Sequence, residues 1–377
     1  MMMRRTLRSM VAGGLLAVLF VVAAATPVEA QQRRLQFIRD AEIEHTIRTY
    51  AQPLFEAAGI DGDAVQIEMV KDSSVNAFVA GGMNLFIHTG LLMETESAGE
   101  LIGVLAHEIG HIAGGHLVRG RDAMEGASAQ AILTTLLGIG AALATGEAGA
   151  AAVIVGGGNE MARRSFLAFT RTQESSADQA ALSYLDRSGF SARGLLRFFD
   201  ELADQELLPT DRQVEFVRTH PLTRDRIEAV RAHVERSPLS DKPFPPDFVE
   251  MHDRMKAKLF GYINPVQALR RFDENDPSIA ARYGRSLAYY QRGDIARALP
   301  LIDGLIADEP ENPFFHELKG QVLLENGRVA ESLEPYRRAV ALLPESPLLR
   351  GALAQALIET GDDRLLDEAL GHLKEAV

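Results

Sequence analysis

Apolar residues recur at helical spacing along most of the chain, and at strand spacing in one short region. Residues 31–58 carry an amphipathic pattern that predicts a helix ending near Gly59. Three short apolar runs follow: VQIEMV at 65–70, NAFVA at 76–80 and NLFIHTG at 84–90, the last two parted by Gly81 and Gly82. Their alternation predicts a small β-sheet or hairpin. Next, Leu101, Val104, Leu105, Ile109 and Ile112 fall on one helical face. Ser97 and Glu100 have the spacing of a capping box that opens this helix. Further helices are predicted over 162–187 and 191–206. Before them, residues 130–158 are rich in Ala and Gly and almost uncharged, interrupted by Glu147. They read as a buried helical hairpin, or as a cover over an active site or a patch touching a membrane.

Pro238, Pro243, Pro245 and Pro246 crowd one stretch and predict an inter-domain linker over 237–250. The last third repeats. Gly293, Gly327 and Gly361 are spaced by 34 residues, as are Pro310 and Pro344. Ala298 and Ser332 take the small-residue position between them, and Ile302 and Tyr336 the large one. This is the period of the tetratricopeptide repeat, a helix-turn-helix unit. The third unit departs from it, because Ala369 follows its glycine by eight residues rather than five. The segment at 264–277 reads as a leading half-repeat. The chain stops at Val377 inside a predicted helix, without the polar cap expected of a solenoid end. The pattern therefore predicts an α+β, mostly α, chain: a signal peptide at 1–30, a helical domain with a small β-sheet at 31–236, the linker, and an all-α solenoid at 251–377.

Composition narrows the function. The formal charge is -13 without a dense basic cluster, which excludes nucleic acid as a partner. Arg4, Arg5 and Arg8 precede an apolar run at 11–25, and small residues lead to Ala30. The run is shorter than the ~20 residues of a membrane span, and the whole reads as a cleaved export signal, with an uncleaved anchor as the alternative. Its removal takes away those three arginines and Glu29 and leaves -15. There is no cysteine, so a metal can be held only by imidazoles and carboxylates.

The stretch AHEIGHIAGGH at 106–116 lies in the helix that Ser97 opens. His107 and His111 are four apart and share a face. This is the HExxH arrangement: two imidazoles one turn apart grip one zinc ion, and Glu108 reaches the water beside it. A hydrolytic site also needs a third protein ligand and an open position. His116 falls one residue short of the HExxHxxGxxH spacing and faces about 100° away. It reads as a histidine that supports a ligand or the fold. In RTQESSADQAAL, Glu174 and Asp178 are again four apart. They read either as a ligand plus a carboxylate that orients a ligand histidine, or as two solvated helix carboxylates.

HEIGH followed by ESSAD, with NAFVAGGMNLFIHTGLL at 76–92 and THPLTRDRI at 219–227, resembles the zinc metallopeptidase family that contains the CAAX prenyl proteases and the HtpX-type heat-shock proteases. The resemblance covers roughly 40–236. It implies a gluzincin-type metalloprotease domain binding one Zn2+ per chain through His107, His111 and Glu174, with Glu108 as general base. His220 is then placed either to donate to an oxyanion or to occupy the open metal position at rest, and Arg226 to position its loop. Asn76 and the strand beside it are placed either to pair with an extended substrate or to form an ordinary buried strand. His45, His88, His233, His252, His316 and His372 read as structural or surface residues. With the leader and the repeats, the resemblance implies a periplasmic zinc endopeptidase that degrades misfolded or misassembled proteins. The repeats would recruit substrate or outer-membrane assembly machinery. The competing expectation is a chaperone or scaffold with a closed zinc site. Glu108 separates the two, because a structural site has no use for it.

Overall fold

A computed structural model describes residues 36–116, 119, 169–209 and 212–376. The leader, the stretch 130–158 and the start of the helix expected over 162–187 lie outside the described residues.

Strand β1 (Phe37–Ile38) precedes helix α1 (Ala41–Ala58). The described helix starts at Ala41, because one long-range pairing and one local cap override the periodicity just before it. Phe37 pairs with Val70 in antiparallel register, and the Asp40 carboxylate accepts the Ile43 N–H at 3.0 Å as an N-cap. Gly59, at φ 71°, closes the helix. Strands β2 (Gln66–Val70), β3 (Ala77–Ala80) and β4 (Asn84–His88) complete a four-stranded sheet in the order β1-β2-β4-β3. β2 and β4 run parallel, β3 and β4 antiparallel through the Gly81-Gly82 turn, and among the described residues β3 is an edge.

Helices α2 (Thr89–Glu94) and α3 (Ala98–Ala113) follow, then α4 (helical over 169–187) and α5 (Arg193–Leu202). Ser97 caps α3 by accepting the Glu100 N–H, while the Glu100 carboxylate reaches back to the Glu96 N–H. Glycines let the α3 backbone lie against its neighbours. A Cβ on Gly103 would come within 2.8 Å of Leu195 in α5, and one on Gly110 within 2.7 Å of the Ala177 carbonyl oxygen in α4. Short helix α6 (Glu215–Thr219) leads through His220 and Pro221 to α7 (Arg224–Arg236). Tyr50, Leu54, Leu85, Ile87, Leu101 and Leu105 are among the residues of the core between sheet and helices.

The stretch expected to be a linker over 237–250 is helical from Pro246. Helix α8 (Pro246–Ile263) begins with that proline in its first turn, where the missing N–H costs nothing. Its Phe248, Met251, Met255 and Leu259 enter the same core as the sheet and α3. Its far end packs on the repeats. A Cβ on Gly261 would lie 2.5 Å from the Gly284 carbonyl oxygen, so the two backbones cross at glycines. The repeats are α9 (Pro265–Arg271), α10 (Ile279–Gln291), α11 (Ile295–Asp308), α12 (Pro313–Glu325), α13 (Val329–Leu342), α14 (Pro347–Glu359) and α15 (Leu366–Glu375). Gly293, Gly327 and Gly361 make the intra-repeat turns at φ 76°, 76° and 68°. In the third unit a 3-10 turn over Asp363–Leu365 delays the second helix, and Ala369 is still buried.

A buried ionic network joins the two regions. Glu42 accepts from Arg254 at 3.1 Å and from the Tyr283 hydroxyl at 2.6 Å. Lys258 lies 2.8 Å from Asp40 and 3.5 Å from Glu42. Burial works against the Lys258 charge, but Asp40 and its neighbours outweigh it and hold the pKa well above the usual value. Among the described residues no helix is long and apolar enough to cross a membrane.

Candidate metal centre

Three elements converge on one buried point. α3 brings His107, Glu108 and His111, α4 brings Glu174 and Asp178, and the end of α6 brings His220. The four-residue spacing on α3 sets His107 Nε2 and His111 Nε2 3.1 Å apart. Glu174 adds Oε2 at 3.3 Å from His107 Nε2 and Oε1 at 3.5 Å from His111 Nε2. A tetrahedral ion with ligand bonds of about 2.0–2.1 Å holds its ligand atoms about 3.3 Å apart. The three side chains are thus already spaced as the edges of such a site. His220 can join them as a fourth donor. Its Nδ1 is 3.2 Å from Glu174 Oε2, and its Nε2 faces the Ala77 carbonyl at 3.2 Å and Glu108 Oε1 at 3.5 Å.

Charge points the same way. Glu108, Glu174 and Asp178 are buried carboxylates, and Arg226 is the permanent cation among them. With all three ionised, two negative charges among the described residues are left for protons on the imidazoles or for a divalent ion to balance. Without an ion, the histidines take up this role unequally. Burial disfavours charge on His107, but Asp178 and Glu174 outweigh it and raise the pKa to about 9. Burial and then the adjacent His107 push His111 down to about 2. Burial also opposes His220, yet Glu174 and Glu108 raise it. Burial lifts Glu108. Its two carboxylate oxygens are fully buried without a hydrogen-bond partner. An orphaned carboxylate beside three metal-donor side chains fits a centre that holds an ion and a water.

The surrounding residues orient the donors. Asp178 Oδ1 touches His107 Nδ1 at 2.9 Å, though off the direction of a straight hydrogen bond. Arg226 donates to both Asp178 oxygens at 2.6 and 2.8 Å and to the Pro221 carbonyl at 2.8 Å, and lies 3.0 Å from Glu174. It therefore ties the loop after His220 to Glu174 and Asp178 of α4. His116 Nδ1 sits 3.0 Å from His111 Nδ1 on the side away from Glu174, so it contacts a donor histidine and stays outside the donor group. Asn76 is buried, and its side chain accepts from Thr219 Oγ1 at 3.1 Å. It fastens the start of β3 to α6.

Other contacts carry no sequence signal of their own. Gln173 donates to the His116 carbonyl, and Phe199 lies under the Arg226 guanidinium at 5.2 Å. Phe216 is the exception. Its ring lies 4.8 Å from that of His220, a neighbour that the four-residue spacing allows one to find.

Fold and site define a metallopeptidase. Residues 38–234 match the profile of peptidase family M48, and residues 283–347 match a tetratricopeptide repeat. The chain belongs to peptidase family M48. It is 27% identical over 336 residues to the beta-barrel assembly-enhancing protease of Yersinia pestis, which covers 85% of this chain and 66% of that protein. It is 30% identical over 253 residues to a putative beta-barrel assembly-enhancing protease of Vibrio cholerae, covering 66% and 51%. It is 28% identical over 304 residues to the beta-barrel assembly-enhancing protease of Escherichia coli K12, covering 78% and 60%. The chain thus spans about half to two thirds of the length of these relatives.

Proposed function

We propose that this chain is a zinc-dependent endopeptidase of the periplasm that removes misfolded or misassembled proteins during outer-membrane protein assembly. The observation that carries the chemistry is the spacing of His107, His111 and Glu174 at tetrahedral edges, beside the orphaned carboxylate of Glu108. The family and the names of the similar proteases support the substrate class, and the basic, apolar leader supports the compartment.

His107, His111 and Glu174 would hold the ion, and the imidazole and carboxylate donor set suits zinc. When bound, the ion supplies a Lewis acid that polarises a peptide carbonyl and makes water more acidic. Glu108 takes the proton of the attacking water and delivers it to the leaving amine. Burial raises its pKa, which suits a group that must both accept and return a proton. Asp178 and Arg226 keep His107 and Glu174 aimed inward. Edge strand β3 can align an extended substrate by strand addition. A groove of about 450 Å³, lined by Leu259, Tyr262, Leu287, Gln321, Leu348 and Gln355 among others, lies between α8 and the first helices of the repeats. It is the surface that would receive a client.

Metal analysis and casein cleavage of the mature wild type and Glu108→Gln test this. One zinc at the centre of both, with cleavage about 10²–10⁴-fold slower in the variant, is expected for loss of a general base. Equal cleavage by both would overturn the role of Glu108. A centre without metal would overturn the whole. His220 stands within reach of the ion and bears on a resting, closed state. If it fills the fourth position, His220→Ala speeds casein cleavage. If it serves the oxyanion, the same change slows it.

A further inference from the structure

A second group of donors lies at the other end of α6. We propose that Asp72, His88 and Glu215 form a second divalent-cation site that pins the helix leading to His220 onto the sheet. Asp72 is in the loop after β2, His88 ends β4 and Glu215 opens α6. One metal-binding atom from each lies within 4.8 Å of the others. None of the three belongs to the centre around His107.

The independent pointer is His88. It is 3% exposed. Its Nδ1 is taken by the Ser74 hydroxyl at 2.8 Å, while its Nε2 is fully buried with no hydrogen-bond partner. When the serine oxygen accepts from Nδ1–H, Nε2 presents a bare lone pair. That is the form of imidazole a metal takes, with the outer nitrogen fixing the tautomer. A buried nitrogen left without a partner is uncommon enough to require a reason.

The backbone around the group is held in place beforehand. The Asp72 carbonyl accepts from the Gly90 N–H at 2.8 Å and from Thr89 Oγ1 at 2.9 Å. Gly90 allows this close approach, since a Cβ there would lie 2.3 Å from the Ser73 carbonyl oxygen. Asp72 Oδ1 accepts the Ser74 N–H at 2.8 Å, which sets the carboxylate on the same turn as the Ser74 hydroxyl. On the other side, the Phe216 N–H donates to the Val75 carbonyl at 3.0 Å and keeps the start of α6 on this loop. Asp72 and Glu215 are only partly buried, so their carboxylates have room to swing in by the roughly 1 Å that separates the present spacing from the edges of about 3.3 Å that bonds of about 2.1 Å require. One imidazole and two carboxylates suit Zn2+ or Mn2+. Mg2+ and Ca2+ prefer all-oxygen cages, and softer ions need sulfur.

The site stands without the peptidase reading, and only its effect through His220 rests on it. The test is Zn2+ titration of the chelator-stripped mature chain without a tag, with bound zinc counted after dialysis. Wild type is expected to hold two ions, and His111→Gln and Glu215→Gln one each. The double variant is expected to hold none. Asp72→Asn keeps an acceptor for Ser74 and should bind the second ion at least about tenfold more weakly. A wild type that saturates at one ion, lost in His111→Gln and kept in Glu215→Gln, overturns this site and leaves the main centre standing. Two ions in wild type, Glu215→Gln and Asp72→Asn alike also overturn it. Loss of an ion only in Glu215→Gln would instead support this site and count against the centre at His111.

Discussion

At the scale of single residues, the centre divides into donors that short-range spacing reveals and supports that it does not. His107 and His111 are one turn apart, so helical geometry alone brings their nitrogens together. Glu174 is far along the chain, and its approach depends on how α3 and α4 pack, which no local pattern encodes. Asp178 looks like any helix carboxylate in sequence. In the fold it is buried between His107 and Arg226, and Arg226, followed by His107, holds its pKa below the ordinary value against the effect of burial. Asp178→Asn keeps the shape but removes the charge that faces both partners. Metal affinity should fall about 10–100-fold, read by competition with a chromophoric chelator. The apo protein should also lose about 1–3 kcal/mol of stability, because the buried Arg226 loses its bidentate carboxylate and keeps only Glu174. Denaturant unfolding of the apo form separates that loss from the affinity.

At the scale of elements, periodicity located most helices and misplaced two boundaries. The pattern before Ala41 is amphipathic enough for a helix, yet Phe37 and Ile38 pair with β2, and long-range pairing is invisible to a local window. The prolines near 246 read as a break, but one of them occupies a first turn where proline starts a helix. What periodicity cannot show at all is how closely helices approach. Gly110 sits where α3 meets Ala177 of α4, and a methyl group there would push His111 away from Glu174. Gly110→Ala should therefore weaken metal binding and lower stability by about 1–3 kcal/mol through overpacking. Gly351, in the interior of α14, has open space around it, with nothing within 4 Å of where a Cβ would stand. Gly351→Ala should instead stabilise the chain by about 0.4–1 kcal/mol by restricting the unfolded state. Thermal unfolding of the two variants side by side, with a chelator competition on the first, checks both.

At the scale of the whole molecule, the repeats and the peptidase region meet through charge as well as through packing. Glu317 of α12 lies 4.0 Å from Lys258. Burial raises its pKa to about 7, with Lys258 pulling down and Asp40 and Glu42 pushing up. An acid whose folded pKa is above its unfolded value binds more protons in the folded state. Stability should therefore fall as pH rises from about 4.5 to about 7 and then level off. Its side chain keeps 18% exposure, which trims the effect to about 1 kcal/mol. Glu317→Gln should flatten this slope and make the protein more stable than its parent at pH 8, as urea unfolding at pH 5 and pH 8 can show. A steeper slope in the variant would contradict the assignment. Helix α8 has a further consequence, for anyone who would treat the chain as two interchangeable parts. One side of it completes the peptidase core and its last turn carries the repeats, so the proline-rich stretch is no seam. A peptidase cut free at residue 245 would lose part of its own interior. A chimera that exchanged the repeats would have to retain residues through Ile263, together with Asp40 and Glu42, or accept a foreign stack resting on an unmatched joint.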